Sequence, residues 1–245
     1  VNCMFNSQKV DVKIGQQKAR EEAAAGRIDP LRNLAETPVV VFSSPKDVIT
    51  YAGHANHIEN FFKDFLPAKN IFQLSHPKAP HGFPTEKQGN PCEKMGVPWL
   101  NACEYDLAGE ILRRLDGGAE ETPKEKGKLI HFSQQPYQSE ENQLLSWGGI
   151  YVPNRCVKGR CGLHVAFHGC QMNAELIGNK FMELSGYQRW ADRKGLVVLF
   201  PQVAKGKRNP QGCWDWFGYT DPKNYFNQRG PQIQAIRALL KDLGI

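Results

Sequence analysis

The sequence predicts an α/β fold with a mostly parallel sheet, because short apolar segments alternate along the chain with amphipathic ones. Two segments are typical of buried strands, Pro38–Ser43 and Leu196–Phe200, each a short run of apolar and β-branched residues. Two others place apolar side chains three and four residues apart, as a helix with one buried face does: Gly53–Leu66 and Tyr105–Leu115. We expect residues 1–245 to form a single domain, since this length is ordinary for one α/β domain.

The remaining elements continue the alternation. A helical pattern with an expected break near Gly186 covers Met172–Ala191, and Gly230-Pro231 opens a last helix. Four further segments have the length and composition of strands: Ile71–Leu74, Leu129–Phe132, Gly149–Val152 and Leu163–Phe167. Helices between strands can connect parallel neighbours and cover both faces of the central sheet.

Composition and charge narrow the class of protein. Hydrophobic residues make up 40% and charged residues 23%, as in a globular protein. The net charge is +6, but the basic residues form no continuous stripe and are not interleaved with aromatic ones. No apolar run approaches the ~20 residues of a membrane span. We therefore expect neither nucleic acid nor a membrane as a partner.

Seven cysteines indicate the compartment. None forms a Cys-x-x-Cys pair, which argues against a zinc ribbon or thioredoxin-like redox chemistry. Cys92 with Cys103, and Cys156 with Cys161, flank loop-like segments, a spacing that suits disulfides in a secreted protein, extracellular or periplasmic. Because seven is an odd number, one cysteine has no partner within the sequence, and we expect it to be Cys3, at the edge of the chain. The alternative is a reduced cytosolic protein with scattered buried cysteines.

Polar residues follow three of the predicted strands, where the active sites of parallel sheets lie. Asp47 comes after the first predicted strand and His81 after the second, the order of the last two members of a Ser…Asp…His triad in α/β-hydrolases. The two residues alone are weak evidence for a triad, because an aspartate and a histidine that follow strands are often structural. His168-Gly169-Cys170 adds weight, since a strand ending in His-Gly supplies a backbone N–H to the oxyanion hole of such enzymes.

The nucleophile of such a triad is missing from the sequence. No Gly-x-Ser-x-Gly occurs, and four serines lie on no strand–turn–helix element: Ser43, Ser44, Ser146 and Ser185. We therefore expect the catalytic serine upstream of Val1. No metal site is predicted, because His54 and His57 share a helical face but have no evident third ligand.

Several long motifs resemble the poly(3-hydroxybutyrate) depolymerases, in particular the single-domain type with a circularly permuted α/β-hydrolase fold. The motifs in the second half are LHVAFHGC (163–170), YQRWAD (187–192), VVLFPQ (197–202) and NPQGCWDWFGY (209–219). Those in the first half include IDP (28–30), PHGFPT (80–85) and YDLAG (105–109). The resemblance covers essentially the whole chain. It explains why the His-Gly element follows the triad histidine, because the permutation places that strand on the C-terminal side.

The resemblance implies roles for individual residues. Asp47 and His81 would be the triad acid and base, and the amide of Cys170 one oxyanion donor. The serine and the second donor would lie in the missing N-terminal segment. Three disulfides are implied, Cys92–Cys103, Cys156–Cys161 and Cys170–Cys213, which leaves Cys3 for an upstream partner. The chain departs from the family before the acid, at Pro45 and Lys46, and after the histidine, at Gly82, where Thr or Ala is commoner.

An aromatic cluster around Cys213 has two interpretations. Aromatic residues at this density are most often core, but on a Gly-flanked loop some are expected to be exposed, as a hydrophobic polyester substrate requires. The cluster consists of Trp214, Trp216, Phe217 and Tyr219, and the resemblance favours Trp216 as the best substrate contact.

The sequence thus predicts a serine esterase that hydrolyses poly(3-hydroxybutyrate) or its oligomers through an acyl-enzyme, without a metal or organic cofactor. Two alternatives stay open. One is an esterase of the same fold that acts on feruloyl or acetyl esters, and the other is a non-catalytic remnant or binding protein that lacks the nucleophile. The expected partners are a polyester or hydroxybutyrate oligomer and the upstream segment that carries the serine.

Overall fold

A computed structural model describes residues 10–117 and 126–244 of the chain. The chain divides into two compact units, Val1–Gly117 and Gly118–Ile245. The prediction of one domain over residues 1–245 stays a prediction, and Cys3 lies outside the described residues.

The first unit contains a βαβ element, and the candidate acid loop lies between its first strand and its helix. Strands β1 (Val39–Ser43) and β2 (Ile71–Ser75) pair in parallel, with Val39 opposite Ile71 and Ser43 opposite Ser75. Helix α2 (Gly53–Phe62) connects them and packs on both strands. It ends four residues before the predicted end, in a turn in which the amide of Leu66 still bonds to the carbonyl of Phe62. Parallel pairing brings the carboxyl ends of β1 and β2 to one edge.

Three very short strands form a second sheet in the first unit. They are β3 (Phe83–Thr85), β4 (Asn90–Pro91) and β5 (Leu100–Ala102), arranged in the order β3–β5–β4 and all parallel. Leu100 is fully buried in this sheet. The sheet holds the chain that follows His81.

Two further helices complete the first unit. Helix α1 (Val12–Ala24) begins at Asp11, whose carboxylate accepts a hydrogen bond from the amide of Lys13. Helix α3 (Leu107–Asp116) begins at Asp106, which accepts from the amide of Gly109. It ends at Gly117, whose φ of 54° is the left-handed conformation that glycine accommodates best.

The second unit is built on a mixed four-stranded sheet in the order β6–β7–β9–β8. Its strands are β6 (Lys128–Ser133), β7 (Trp147–Val152), β8 (Gly162–Val165) and β9 (Leu196–Phe200). Strands β8 and β9 are parallel, whereas β6–β7 and β7–β9 are antiparallel. The antiparallel β6–β7 pair arises because no α-helix crosses over between these strands. Of the strand pairs in the described residues, β6–β7 and β7–β9 are antiparallel and the remaining four are parallel.

Helices and a buried strand form the core of the second unit. The helices are α4 (Ala174–Ile177), α5 (Lys180–Leu184), α6 (Tyr187–Lys194) and α7 (Pro231–Asp242). The helical pattern predicted over Met172–Ala191 has the expected break at Gly186 and a second, unpredicted break at Gly178; both glycines have positive φ. The last three residues of β9 are almost completely buried, and Leu199 packs with Ile236 and Leu239 of α7.

Candidate active site

The candidate acid, Asp47, lies in a tight turn just after β1. Its Oδ1 accepts hydrogen bonds from the backbone amides of Ile49, at 2.8 Å, and Thr50, at 2.7 Å. Ser44 begins the turn, and its buried hydroxyl bonds to the carbonyls of His76, at 2.9 Å, and Ala79. Ser44 therefore connects the acid loop to the segment after β2. In the carboxylate of Asp47, Oδ1 is held by the two amides, and Oδ2 can accept a hydrogen bond from another side chain.

The candidate base, His81, lies on that second segment and meets the free oxygen. The distance between His81 Nδ1 and Asp47 Oδ2 is 2.8 Å. The rings of Trp99 and His81 are nearly perpendicular and pack with centroids 5.9 Å apart. The His81 side chain is 39% exposed and that of Asp47 14%, so the carboxylate is sheltered while the imidazole reaches the surface. Among the described residues, none forms a hydrogen bond to Nε2 of His81, the atom that would take a proton from a nucleophile.

The electrostatics of this pair favour a charged acid. Burial raises the pKa of Asp47, but the hydrogen bond from His81, the amides of Thr50 and Ile49 and the nearby His81 charge together hold it below the ordinary value. An ionised carboxylate accepts from Nδ1–H, which leaves the lone pair of the imidazole on Nε2. The pair therefore has the hydrogen bond that a hydrolytic triad requires between its acid and its base.

Gly82 is required by close packing. A Cβ atom at this position would lie 2.4 Å from Asn101 Oδ1 and 3.1 Å from the carbonyl of Trp99. The amide of Phe83 also bonds to that carbonyl at 2.7 Å. Asn101 is also bonded to the loop spanning 91–94, since its side-chain amide donates to three backbone carbonyls there. Glycine at 82 therefore lets the Asn101 side chain and the Trp99 backbone lie directly against the residue that follows His81.

The second unit carries the candidate oxyanion donor in the turn after β8. The amide of Cys170 donates to no acceptor among the described residues, while the next amide, of Gln171, bonds to the carbonyl of Gln211 at 2.7 Å. A disulfide joins Cys170 to Cys213 across 43 positions of sequence. The turn is thus fixed on both sides of a backbone donor that remains available.

The aromatic cluster is organised by Asp215, whose two carboxylate oxygens accept five hydrogen bonds from residues 217–220. Trp216 is 48% and Phe217 47% exposed, whereas Trp214 is partly buried, 4.8 Å from Phe167 between ring centroids. Trp214 and Phe167 line an apolar cavity of about 570 Å³ within this unit. The loop therefore displays two aromatic side chains.

Tyr219, one of the four candidate substrate contacts in the aromatic cluster, is instead buried. It is 5% exposed, and its hydroxyl donates to the carbonyl of Cys213 at 2.8 Å. The same oxygen accepts from Asn209 at 3.0 Å and from Gln232 at 2.7 Å. Tyr219 is a core residue, because its ring is covered and its polar atom is fully engaged.

The other cysteines form local crosslinks. Cys92 bonds to Cys103 and Cys156 to Cys161, which are the pairs that the resemblance implied together with Cys170–Cys213. Within residues 10–117 and 126–244, one cluster has the spacing of metal ligands, His76 with Cys92 and Cys103, but its two cysteines are the disulfide partners.

None of the described helices has the length and apolar character needed to cross a bilayer.

The structure brings the predicted site residues together in two groups. Asp47 and His81 form one in the first unit, and Cys170, Cys213 and the aromatic loop form the other in the second. Ser44 and Trp99 support the first group, but the sequence offered no signal for their roles. Their contacts depend on loops that meet only in the fold.

Comparison with known proteins gives matches to depolymerases. Residues 145–224 match the family model described as esterase PHB depolymerase. A poly(3-hydroxybutyrate) depolymerase of Delftia acidovorans is 34% identical over 244 residues, 97% of this chain and 49% of that protein. The chain is similar to poly(3-hydroxybutyrate) depolymerases over nearly its whole length. A polyhydroxybutyrate depolymerase of Talaromyces funiculosus is 28% identical over 99% of this chain and 76% of its own length.

The fold of the depolymerases is shared as well. A structure of a serine-to-alanine variant of a PHB depolymerase, complexed with an R3HB trimer, matches with a TM-score of 0.89 and 27% identity. The match covers 98% of this chain and 80% of that one. The chain therefore has an α/β-hydrolase type fold, as predicted. It spans about half the length of the Delftia depolymerase.

Proposed function

We propose that this chain is the acid-, base- and oxyanion-bearing part of a serine esterase that hydrolyses poly(3-hydroxybutyrate) or its oligomers. The observation that carries the proposal is the 2.8 Å hydrogen bond between His81 Nδ1 and Asp47 Oδ2. This bond leaves Nε2 without a partner among the described residues. The relationship to depolymerases supports the choice of substrate.

The proposed reaction proceeds through an acyl-enzyme. A serine Oγ attacks the ester carbonyl as His81 Nε2 removes its proton, and Asp47 stabilises the imidazolium that forms. The amide of Cys170 donates to the oxyanion. When the C–O bond breaks, the imidazolium returns its proton to the departing alkoxide oxygen of the next 3-hydroxybutyrate unit, which leaves as a hydroxyl. Water then attacks the acyl-enzyme by the same route, releases the carboxylic acid and regenerates the serine.

We place the nucleophile outside the 245 residues, in an upstream segment of the same protein. No Gly-x-Ser-x-Gly occurs in the sequence, and no described serine bonds to His81. Ser44 lies three residues before Asp47, but its hydroxyl is hydrogen-bonded to two backbone carbonyls, those of His76 and Ala79. A serine before Val1 and an oxyanion strand after His81 correspond to the circularly permuted order, which this proposal includes. The whole-protein activity belongs to the chain that contains that serine.

The chemistry of the second unit suits a polyester with apolar side groups. Trp216 and Phe217 offer exposed aromatic surface, and the partly buried Trp214 borders an apolar cavity. A methyl-bearing polymer gains from contact with such surface because apolar area leaves water. Three disulfides are typical of an oxidising compartment, so we infer that the enzyme is secreted.

The direct test compares substrates with the full-length protein. We expect clearing of amorphous poly(3-hydroxybutyrate), with much slower turnover of feruloyl and acetyl esters of plant polysaccharides. His81→Ala should abolish clearing, and His131→Ala, an exposed histidine outside the candidate site, should not change it. Preference for feruloyl or acetyl esters would favour the alternative esterase. Absence of hydrolysis of every ester by the full-length protein would favour a non-catalytic role.

A further inference from the structure

His168 is a buried histidine to which the proposed reaction gives no role. It is 3% exposed, and each of its ring nitrogens has a backbone partner. Nδ1 lies 2.8 Å from the carbonyl oxygen of Gly169, and Nε2 lies 3.3 Å from the amide nitrogen of Val203. Its ring also packs near that of Trp214, with centroids 5.8 Å apart.

These two partners determine the tautomer of His168. The amide of Val203 can only donate, so Nε2 must carry the lone pair that accepts it. The proton of the neutral ring is then on Nδ1, from which it is donated to the Gly169 carbonyl. Burial lowers the pKa of His168 to about 4, which keeps the ring in this neutral form at ordinary pH.

The carbonyl held by His168 belongs to the same peptide group as the candidate oxyanion donor. The C=O of Gly169 and the N–H of Cys170 are attached to one planar trans peptide, so they point in opposite directions. Fixing the carbonyl therefore fixes the direction of the N–H. The Gly169 carbonyl also accepts from the amide of Met172 at 3.2 Å, whereas the Cys170 N–H donates to no described residue.

We propose that His168 is a positioning residue that aims the amide N–H of Cys170 at the oxyanion formed during ester hydrolysis. The proposal rests on the proposed serine esterase function. In this role His168 does not touch the substrate or exchange protons with it. It acts through the peptide group of Gly169 and Cys170, and its effect is expected in the transition state rather than in substrate binding.

Two substitutions separate the two hydrogen bonds. In His168→Asn, the side-chain Nδ2 occupies the place of the ring Nδ1 and can still donate to the Gly169 carbonyl, but the acceptor for Val203 is lost. In His168→Gln, the side-chain Oε1 occupies the place of the ring Nε2 and can still accept from Val203, but the donor to Gly169 is lost. Both variants replace the imidazole ring by a carboxamide and so weaken the packing on Trp214. They are therefore matched controls for one another.

The experiment measures kcat and KM of the full-length protein and both variants on a soluble 3-hydroxybutyrate oligomer, together with inhibition by butylboronic acid. For His168→Gln we expect kcat to fall about 10- to 100-fold with KM within about twofold, because a misaimed oxyanion donor acts on the transition state. The inhibition constant of the boronic acid, which forms a tetrahedral adduct, should rise by a similar factor. For His168→Asn we expect kcat within about fivefold of the wild type, since the donor to Gly169 is retained.

The outcomes separate this proposal from the proposed function. Equal losses in both variants, a larger loss in His168→Asn, or a raised KM with unchanged kcat would each show that His168 only packs the core, while the esterase function would stand. If the full-length wild type hydrolyses no ester, both proposals fall together. Thermal unfolding of both variants, expected at similar temperatures, checks that the split in kcat does not arise from different stability.

Discussion

Replacing Asp47 by asparagine should disable His81 by reversing its tautomer. In the structure, Oδ1 of Asp47 accepts from the amides of Ile49 and Thr50, and Oδ2 faces His81 Nδ1. An asparagine must keep its oxygen toward the two amides, because its NH₂ group would otherwise oppose two donors. Its Nδ2 then faces His81 and donates to Nδ1, which moves the imidazole proton to Nε2. A ring protonated at Nε2 cannot accept the proton of a serine.

The expected loss follows from the loss of the general base. The same change of tautomer in a serine protease triad lowers kcat by about 10⁴-fold, which corresponds to about 5 kcal/mol of transition-state stabilisation. KM should stay within about threefold, since Asp47 lies behind the base and its substitution removes no proposed substrate contact. Because the two amide bonds are preserved, the unfolding temperature should change little.

The assay is the initial rate of p-nitrophenyl butyrate hydrolysis by the full-length protein. Asp221→Asn is the matched control, because Asp221 also accepts from two backbone amides in a turn, those of Lys223 and Asn224, but has no histidine partner. The control should retain wild-type kcat. If Asp47→Asn kept more than a tenth of the wild-type kcat, the argument that Asp47 sets the tautomer of His81 would be refuted.

Three further perturbations test other parts of the structure. Replacing both cysteines of the Cys170–Cys213 disulfide by alanine should lower the free energy of unfolding by about 4 kcal/mol, because the bridge closes a span of 43 positions. The same replacement of Cys156–Cys161, which closes a span of 5 positions, should lower it by about 2 kcal/mol, and urea unfolding measures both losses. Burial holds the pKa of His168 at about 4, below the ordinary histidine value of 6.5, so the unfolded chain binds more protons between these values. The resulting stability is complete above pH 6.5 and falls by about 3 kcal/mol as the pH drops toward 4, a loss that urea unfolding of the His168→Asn variant should lack. Trp216→Ala should slow clearing of polymer about tenfold while a short soluble ester is hydrolysed at nearly the wild-type rate, and Ile130→Ala, equally exposed at 49% on β6, should change neither rate.

Strong local signals made several elements predictable. Strand β9 has the predicted bounds, Leu196–Phe200, because a short run of β-branched and aromatic residues is bounded by a glycine and a proline. Helix α3 was predicted over Tyr105–Leu115 and lies over Leu107–Asp116, since its apolar stripe is followed by Gly117. In these segments the local preference and the tertiary fold agree.

Other elements carry too little local information. Helix α1 was not predicted, because Val12–Ala24 is mostly polar and shows no apolar stripe of helical period. Strands β3, β4 and β5 are two or three residues long, too short for any period to appear. The second break in the helical pattern, at Gly178, depends on a positive φ that a glycine permits but does not require.

The site was predictable in its chemistry more than in its geometry. The positions of Asp47 and His81 after two strands predicted their pairing, because parallel strands end at the same edge. The spacing of the cysteines suggested two disulfides, but only the resemblance indicated that Cys170 pairs with Cys213. The burial of Tyr219 could not be inferred from its place in an aromatic loop, because three distant partners decide it.

The most direct test of the central claim is to map the serine that a fluorophosphonate probe labels in the full-length protein. The account predicts stoichiometric labelling of one serine outside residues 1–245, in a Gly-x-Ser-x-Gly sequence, with labelling lost in His81→Ala. The 245-residue chain alone should not be labelled. Labelling at Ser43, Ser44, Ser146 or Ser185, or an active enzyme that the probe does not modify at all, would contradict it.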